Sequence, residues 1–387
     1  MKVILFANTD WYLYNFRLSL ARALRDQGVE VVLLSPPGPY GPKLRAAGFR
    51  WEPLAMERRS LNPLREWRLM RTLTRFYRRE RPEAVHHFTL KCVVYGSMAA
   101  ARAQVPFIIN AVAGLGYVFT NPSLTARVLR PLVRGALRFA MNGANARLVL
   151  QNTDDVRLFR DARVVAERKV RLIMGSGVDT KRFHPASSPV LEREPMRILL
   201  ASRILWDKGV GEFVEAARLL LAEGLPMRFR LAGSPDPGNP ASVPDARITS
   251  WVNAGVVEFL GQVADMPALL QETDIAVLPS YREGLPKSLI EAAACAIPMV
   301  TTDVPGCREV VSDGETGLLV PARDHRALAD AIRRLYTHPE WARDLGKAAR
   351  ERAIRQFDEH VVVAKTLEVY REGGLHLSGS VHLEGRV

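Results

Sequence analysis

The sequence predicts an α/β protein of two successive domains, each a parallel sheet covered by helices on both faces. Two observations carry that expectation. A strand–helix–strand opening, MKVILFA at residue 1, starts again as MRILLAS at residue 196. Short apolar runs then alternate with helical stretches through both halves, as crossover-linked parallel strands require. A length of 387 residues suits two domains. With 48% hydrophobic and 25% charged side chains, disordered, collagen-like and coiled-coil chains are excluded.

In chain order, residues 1–7 are strand-length and apolar. Tyr14–Gln27 sets Phe16, Leu18, Leu20, Ala21 and Leu24 at helical spacing. Gly28 stops that helix, and Val29–Leu34 is the next strand. Further strands are expected at 84–87, 106–110, 147–151 and 170–174. The segment His184–Pro195, with Pro185, Ser187, Ser188 and Pro189, reads as a linker. It divides a first domain, 1–185, from a second, 186–371. The second domain has strands at 197–201, 228–232, 256–259, 274–279 and 298–301, and a helix at Gly209–Glu223. Helices near 323–336 and 340–371 close it, the final one being allowed to pack back on the first domain. Residues 372–387 lack periodicity and read as a loose tail. Paired Rossmann-like domains of this kind take ligands at the carboxyl ends of their strands, in the cleft between them.

Charge divides along the same line. Lys and Arg total 54 against 41 Asp and Glu, a net +13. Residues 1–185 hold 31 basic and 13 acidic side chains (+18), the remainder 23 and 28 (−5). A basic half points to an anionic partner. Arg68, Arg71, Arg75, Arg78 and Arg79 recur at helical spacing, as do Arg127, Arg130, Arg134 and Arg138. Basic amphipathic helices suit an anionic membrane surface. Aromatic residues do not interleave with these runs in a nucleic-acid motif, so nucleic acid is not expected as a partner. Cys92, Cys295 and Cys307 lack disulfide or metal spacing and fit a reducing cytosol. The first apolar run is too short for a signal peptide. The longest uncharged stretch, between Arg102 and Arg127, is broken by Pro106, Gly114, Gly116 and Pro122, so no spanning helix is expected.

The chemistry-bearing residues cluster in the second half. Neither strand-one loop carries Gly-x-Gly-x-x-Gly, which disfavours a dinucleotide enzyme. Arg203 and Lys208 follow the second domain's first strand, where a fork and a point charge can meet phosphate oxygens. After the strand at 274–279 comes a loop with Glu283, Gly284 and Leu285, then a helix from Pro286 that carries Glu291. That helix start can receive a diphosphate. Two acids eight residues apart can contact different parts of one nucleotide sugar. Gly175 and Gly177 mark a turn of close backbone approach or a hinge. Each feature alone has a bland reading as surface charge or turn. Together, behind successive strands of one domain, they indicate a nucleotide-sugar site, which an epimerase or a glycosyltransferase could use.

Here the sequence resembles a known family. Arg203, Lys208-Gly209, the Gly-Val-Asp turn at 177–179 and Glu283…Glu291 resemble, in order, the motifs of retaining GT-B glycosyltransferases of family four. The likeness runs from Met1 to about residue 371. It includes similarity to bacterial N-acetylgalactosaminyltransferases that extend polyprenyl-diphosphate-linked sugars, through NTDWYLYNFR (8–17), HFTLKCVVYGS (87–97) and NAVAGLGYVF (110–119).

The resemblance implies a catalytic set of Arg203, Lys208 and Glu283. Arg203 and Lys208 would hold the donor diphosphate, and Glu283 the hydroxyls of the transferred sugar. Backbone N–H groups near Gly284 and Leu285 would assist, Glu291 would hold the ribose, and Gly177 would belong to the donor site. It further implies a UDP-linked N-acetylhexosamine donor and a lipid-linked sugar acceptor such as an undecaprenyl diphosphate. Transfer would be retaining, without metal or cofactor, and the chain holds no Asp-x-Asp. The setting would be polysaccharide or lipopolysaccharide assembly on the inner face of the plasma membrane, and Arg127, Arg130, Arg134 and Arg138 would touch that membrane. Two departures stand out: the glycine-rich turn after strand one is absent, and Asn110 stands where many relatives carry a His. The acceptor or transition-state residues are therefore expected among Asn8, Asp10, His87, Asn110, Gly114 and Gly116. Alternatives are an epimerase on the same scaffold and transfer to a soluble acceptor.

Overall fold

The computed structural model describes residues 1–57, 60, 62–112, 135, 137–143, 145–186 and 194–377. The chain forms two compact units: Met1–Ser176 together with His360–Val387, and Gly177–Glu359.

The first unit carries β1 (Lys2–Phe6), β2 (Glu30–Ser35), β3 (Arg50–Pro53), β4 (Ala84–Phe88), β5 (Phe107–Val112), β6 (Ala146–Leu150) and β7 (Val170–Leu172). They form one parallel sheet in the order β3-β2-β1-β4-β5-β6-β7. Its central strands are apolar on both faces because helices cover both. Val3 and Leu5 pack with Leu20, Leu24, Val362 and Tyr370. Ile4 and Phe6 pack with Leu69, Leu73 and Tyr77 on the other side.

Several expectations change here. The helix expected over Tyr14–Gln27 is two, Asp10–Phe16 and Leu18–Asp26, parted at Arg17. There the backbone leaves helical geometry and the guanidinium turns inward over Phe88, 4.4 Å from the ring centre. β3 escaped the sequence because an edge strand of four residues has little hydrophobic pattern to show. Helix Glu359–Glu372 belongs to this unit from His360 onward. Beyond it Leu375 and Leu377 are buried in the same core, so residues 372–377 are not a loose tail.

The second unit carries β8 (Met196–Ala201), β9 (Met227–Ala232), β10 (Glu258–Gly261), β11 (Ile275–Leu278), β12 (Met299–Thr302) and β13 (Leu318–Val320). The order β10-β9-β8-β11-β12-β13 is again parallel. In both sheets the order reverses beside the first strand, between β1 and β4 and between β8 and β11. Such a reversal sends the following connections to opposite faces of the sheet and opens a crevice at the strand ends. β13, three residues long, was not expected.

The divisions between units fall at Ser176/Gly177 and Glu359/His360, not at 185/186. The reason is a short bridge within the second unit: Val178 N–H donates to the Phe357 carbonyl (2.9 Å), and Glu359 N–H to the Val178 carbonyl (2.9 Å). The same bridge breaks the single helix expected over 340–371. Pro339–Arg352 runs into a π turn at Ala353–Phe357, Asp358 is extended, and the last helix starts afresh. Among the described residues no helix is long and apolar enough to cross a membrane.

Candidate active site

At the reversal between β8 and β11, two loops meet. One is Ser202–Gly209, after β8; the other is Pro279–Pro286, after β11. The Asp207 carbonyl accepts from Tyr281 N–H (2.9 Å) and Ser280 Oγ (3.1 Å). Tyr281 OH donates to Glu212 (2.6 Å) on the helix that follows the first loop. Gly209 permits this contact: its φ is +72°, and a Cβ there would stand 2.1 Å from the Pro279 carbonyl oxygen.

This stitching brings Lys208 against Glu283, and their Nζ and Oε1 form an ion pair. The side chains are 17% and 12% exposed, so water screens the pair weakly. A third loop supports them. Glu283 N–H donates to the Pro305 carbonyl (3.1 Å), and Gly306, with φ of +82°, lets that loop lie against the Glu283 and Gly284 carbonyls. Thr301 Oγ1 donates to the Leu278 carbonyl (2.6 Å), and Thr302 Oγ1 to that of Ser280. Cys307, beneath the loop, is buried, and burial, with Glu283 nearby, pushes its thiol up to about 12.

Gly284 and Leu285 lead into helix Lys287–Ala294, which has Pro286 at its N-cap and no side-chain cap. An uncapped helix start presents amide donors and the positive end of a dipole. Glu291 lies on this helix with its side chain 13% exposed, 3.9 Å from Lys287 Nζ. Burial raises its pKa, while Lys287 and Arg182 act in the opposite sense.

Arg203 shares a loop with Lys208 but does not reach Glu283. Its Nη1 donates to Asp236 Oδ2 at 2.9 Å, and its side chain is 55% exposed. Gly177 stands apart from all of these. Its φ is +76°, and a Cβ would meet Glu359 Cα at 2.5 Å. The chain bridge accounts for a glycine at this position.

The first unit corrects three more expectations. Asp10 is buried, and its carboxylate accepts from Trp11 N–H (2.8 Å), Tyr40 N–H (2.7 Å) and Gly41 N–H (2.8 Å). These three main-chain donors make it a structural carboxylate that ties down the loop after β2. His87 and Asn110 are brought together, but inside the core. Asn110 Oδ1 accepts from His87 Nδ1 (2.9 Å) and Ser97 Oγ (3.0 Å), and Tyr77 OH meets His87 Nε2 (3.1 Å). Both residues are fully buried, and burial lowers the His87 pKa to about 4. A neutral imidazole enclosed in this way is structural. Asn8, half-buried at the end of β1, is left as the acceptor-side expectation within the described residues. Gly114, Gly116, Arg127, Arg130 and Arg134 lie outside them, and Arg138 is exposed. Asp236 and the Tyr281–Glu212 pair fall outside the motifs of the sequence; the turn-rich run after β9 is the one signal for Asp236.

Comparison with known proteins identifies the family. Residues 2–152 match the model described as glycosyl transferase 4-like, and residues 195–338 that of glycosyl transferases group 1. The chain belongs to the family-four-like GT-B glycosyltransferases. The transferase is 28% identical, over 96% of its chain and 98% of the relative, to the N,N'-diacetylbacillosaminyl-diphospho-undecaprenol α-1,3-N-acetylgalactosaminyltransferase of Campylobacter jejuni. It is 23% identical over 310 residues, 76% of its chain and 78% of the relative, to the capsular polysaccharide glycosyltransferase CapM of Staphylococcus aureus. The GT-B fold is shared with Anabaena HepE, whose crystal structure contains UDP (TM-score 0.77, 18% identity, covering 96% of this chain and 100% of that one). It is shared also with WaaG, a lipopolysaccharide glycosyltransferase (TM-score 0.72, 15% identity, 98% and 100%).

Proposed function

We propose that the transferase moves an N-acetylhexosamine from a UDP-sugar to a lipid-linked sugar in cell-surface glycan assembly, with retention at the anomeric carbon and without a metal. The observation that carries this is the Lys208–Glu283 pair at the sheet reversal, beside the uncapped helix Lys287–Ala294. The donor diphosphate would lie against Lys208, Arg203 and the helix start. As the glycosidic bond breaks, negative charge grows on the diphosphate, and fixed cations and amide donors stabilise it. Glu283, displaced from Lys208 by the incoming phosphate, would accept from the sugar hydroxyls, and Glu291 from the ribose. The acceptor hydroxyl attacks the anomeric carbon from the face the diphosphate leaves, and its proton passes to the departing phosphate oxygen. UDP in the HepE structure and the Campylobacter relative's undecaprenol-linked substrate support the donor and acceptor classes.

A lipid-linked acceptor would bring the enzyme to the inner face of the membrane. Helix Pro63–Glu80 offers a suitable surface: Leu64 and Trp67 are 67% and 50% exposed, and Arg68, Arg71, Arg75 and Arg78 continue the stripe. The decisive test is nucleotide release from a panel of UDP-, GDP- and TDP-sugars, with and without a polyprenyl-diphosphate sugar. Acceptor-dependent UDP release with an α-linked product from an α-linked donor is expected. Turnover without acceptor to an isomeric nucleotide sugar would overturn the assignment.

A further inference from the structure

Arg203 is the cation of the site whose position most needs explaining. It is more than half exposed, and an arginine carries a large rotamer entropy that only a firmly fixed partner removes. Its neighbour Asp236 is different: 16% exposed and built into a braced loop. That loop, Gly233–Val243, follows β9 and is fastened along the Arg203 loop at several points. Ile204 N–H donates to the Ser234 carbonyl (3.0 Å), Trp206 N–H to the Ala241 carbonyl (2.8 Å), and Val243 N–H to the Ile204 carbonyl (3.1 Å). Gly233, with φ of +135°, allows the approach, since a Cβ would stand 1.8 Å from the Ser202 carbonyl oxygen. Within the loop, Ser242 Oγ meets Asp236 N–H (3.1 Å), Asn239 N–H donates to the Asp236 carbonyl (2.9 Å), and Asn239 Nδ2 donates to Asp236 Oδ2 (3.2 Å). The carboxylate is therefore fixed before it touches Arg203.

We infer that Asp236 is a positioning residue: it holds the Arg203 guanidinium by Nη1 alone, leaving the rest of the fork to the diphosphate of the donor. The inference rests on the proposed donor role of Arg203. A mobile arginine would lose its rotamer freedom each time a donor bound; one held in advance has already lost it. Electrostatics alone makes the opposite prediction. A carboxylate close to a diphosphate repels it, so removing that charge should tighten binding unless the carboxylate's work is geometric.

The sign of the effect is thus the test. UDP, GDP and TDP are titrated calorimetrically against the full chain, and the tightest binder is carried through Asp236→Asn, Arg203→Ala and the double variant. Affinity should fall about tenfold in Asp236→Asn and at least as much in Arg203→Ala, with no further loss in the double variant. Asn239→Ala, which loosens Asp236 while keeping its charge, should weaken binding in the same sense by a smaller factor. It also serves if Asp236→Asn does not fold. Unchanged or tighter binding in Asp236→Asn, or in its absence unchanged binding in Asn239→Ala, overturns the inference. So does an equal loss in the presence and absence of Arg203, which would mark a merely structural role. Undiminished affinity in Arg203→Ala removes the donor role of Arg203 itself, and the inference falls with it.

Discussion

Glu291 is a carboxylate held mostly out of water, with Lys287 3.9 Å away and Arg182 beyond it as counter-charges. Its pKa is raised by burial, so the folded state binds the proton more tightly than the unfolded state. Stability is therefore lost as pH climbs from the ordinary carboxylate range through the raised value. Glu291→Gln should stabilise the fold by about 1 kcal/mol at neutral pH, read as a higher Tm, while weakening UDP binding. A variant that loses both would mark Glu291 as structural. Lys208→Ala should lower kcat by about 100-fold or more, the scale for removing a fixed group that stabilises transition-state charge. Near-normal turnover there would remove Lys208 from the mechanism. His87 acts in the opposite sense. With a folded pKa of about 4 against an ordinary value near 6.5, the unfolded chain takes up the proton first as pH falls. Stability is intact above about pH 6.5 and is lost progressively down to about pH 4, by roughly 3 kcal/mol in all. Urea unfolding across that range should steepen this loss in wild type relative to His87→Gln.

Among the elements, the loops behind strands were the most legible in the sequence. Lys208 and Glu283 could be placed because each follows an apolar strand directly, and a parallel sheet sends such loops to one edge. Asp10 follows β1, and His87 and Asn110 lie within β4 and β5, yet their side chains turn to the backbone or the core. What decides this is register: β4 and β5 pair His87 beside Asn110, and no local pattern contains that pairing. Arg17 illustrates the same limit, since its helix break coincides with a contact to a ring 71 residues away in sequence, which the local periodicity does not contain. The loop contacts themselves are testable. Gly209→Ala puts a methyl into the Pro279 carbonyl, so it should displace Lys208 and depress turnover beyond its effect on Tm. On helix Pro63–Glu80, replacing Arg68, Arg71, Arg75 and Arg78 with Gln should reduce sedimentation with anionic vesicles by roughly 1 kcal/mol per side chain. Unchanged sedimentation would take this helix out of any membrane contact.

At the scale of the whole molecule, the net charge of +13 conceals a division that matters more than its total. The whole basic excess lies in the first 185 residues, whereas the chemistry gathers on a few side chains of the mildly acidic remainder. The fold class and the repeated opening were readable because hydrophobic periodicity is local. The unit boundaries were not, because they depend on Val178 meeting a partner about 180 residues further on.

That meeting means the second unit is inserted into the first. The first unit's core includes Val362, Leu367, Val369 and Tyr370, and Tyr370 OH lies 2.9 Å from buried His86 Nδ1. A ribosome making this chain would release the inserted unit in full while the earlier one still lacked its last helix. The part synthesised first is completed only after the inserted unit, and until then the sheet face shared by Leu20 and Leu24 lacks the cover of Val362, Leu367 and Tyr370.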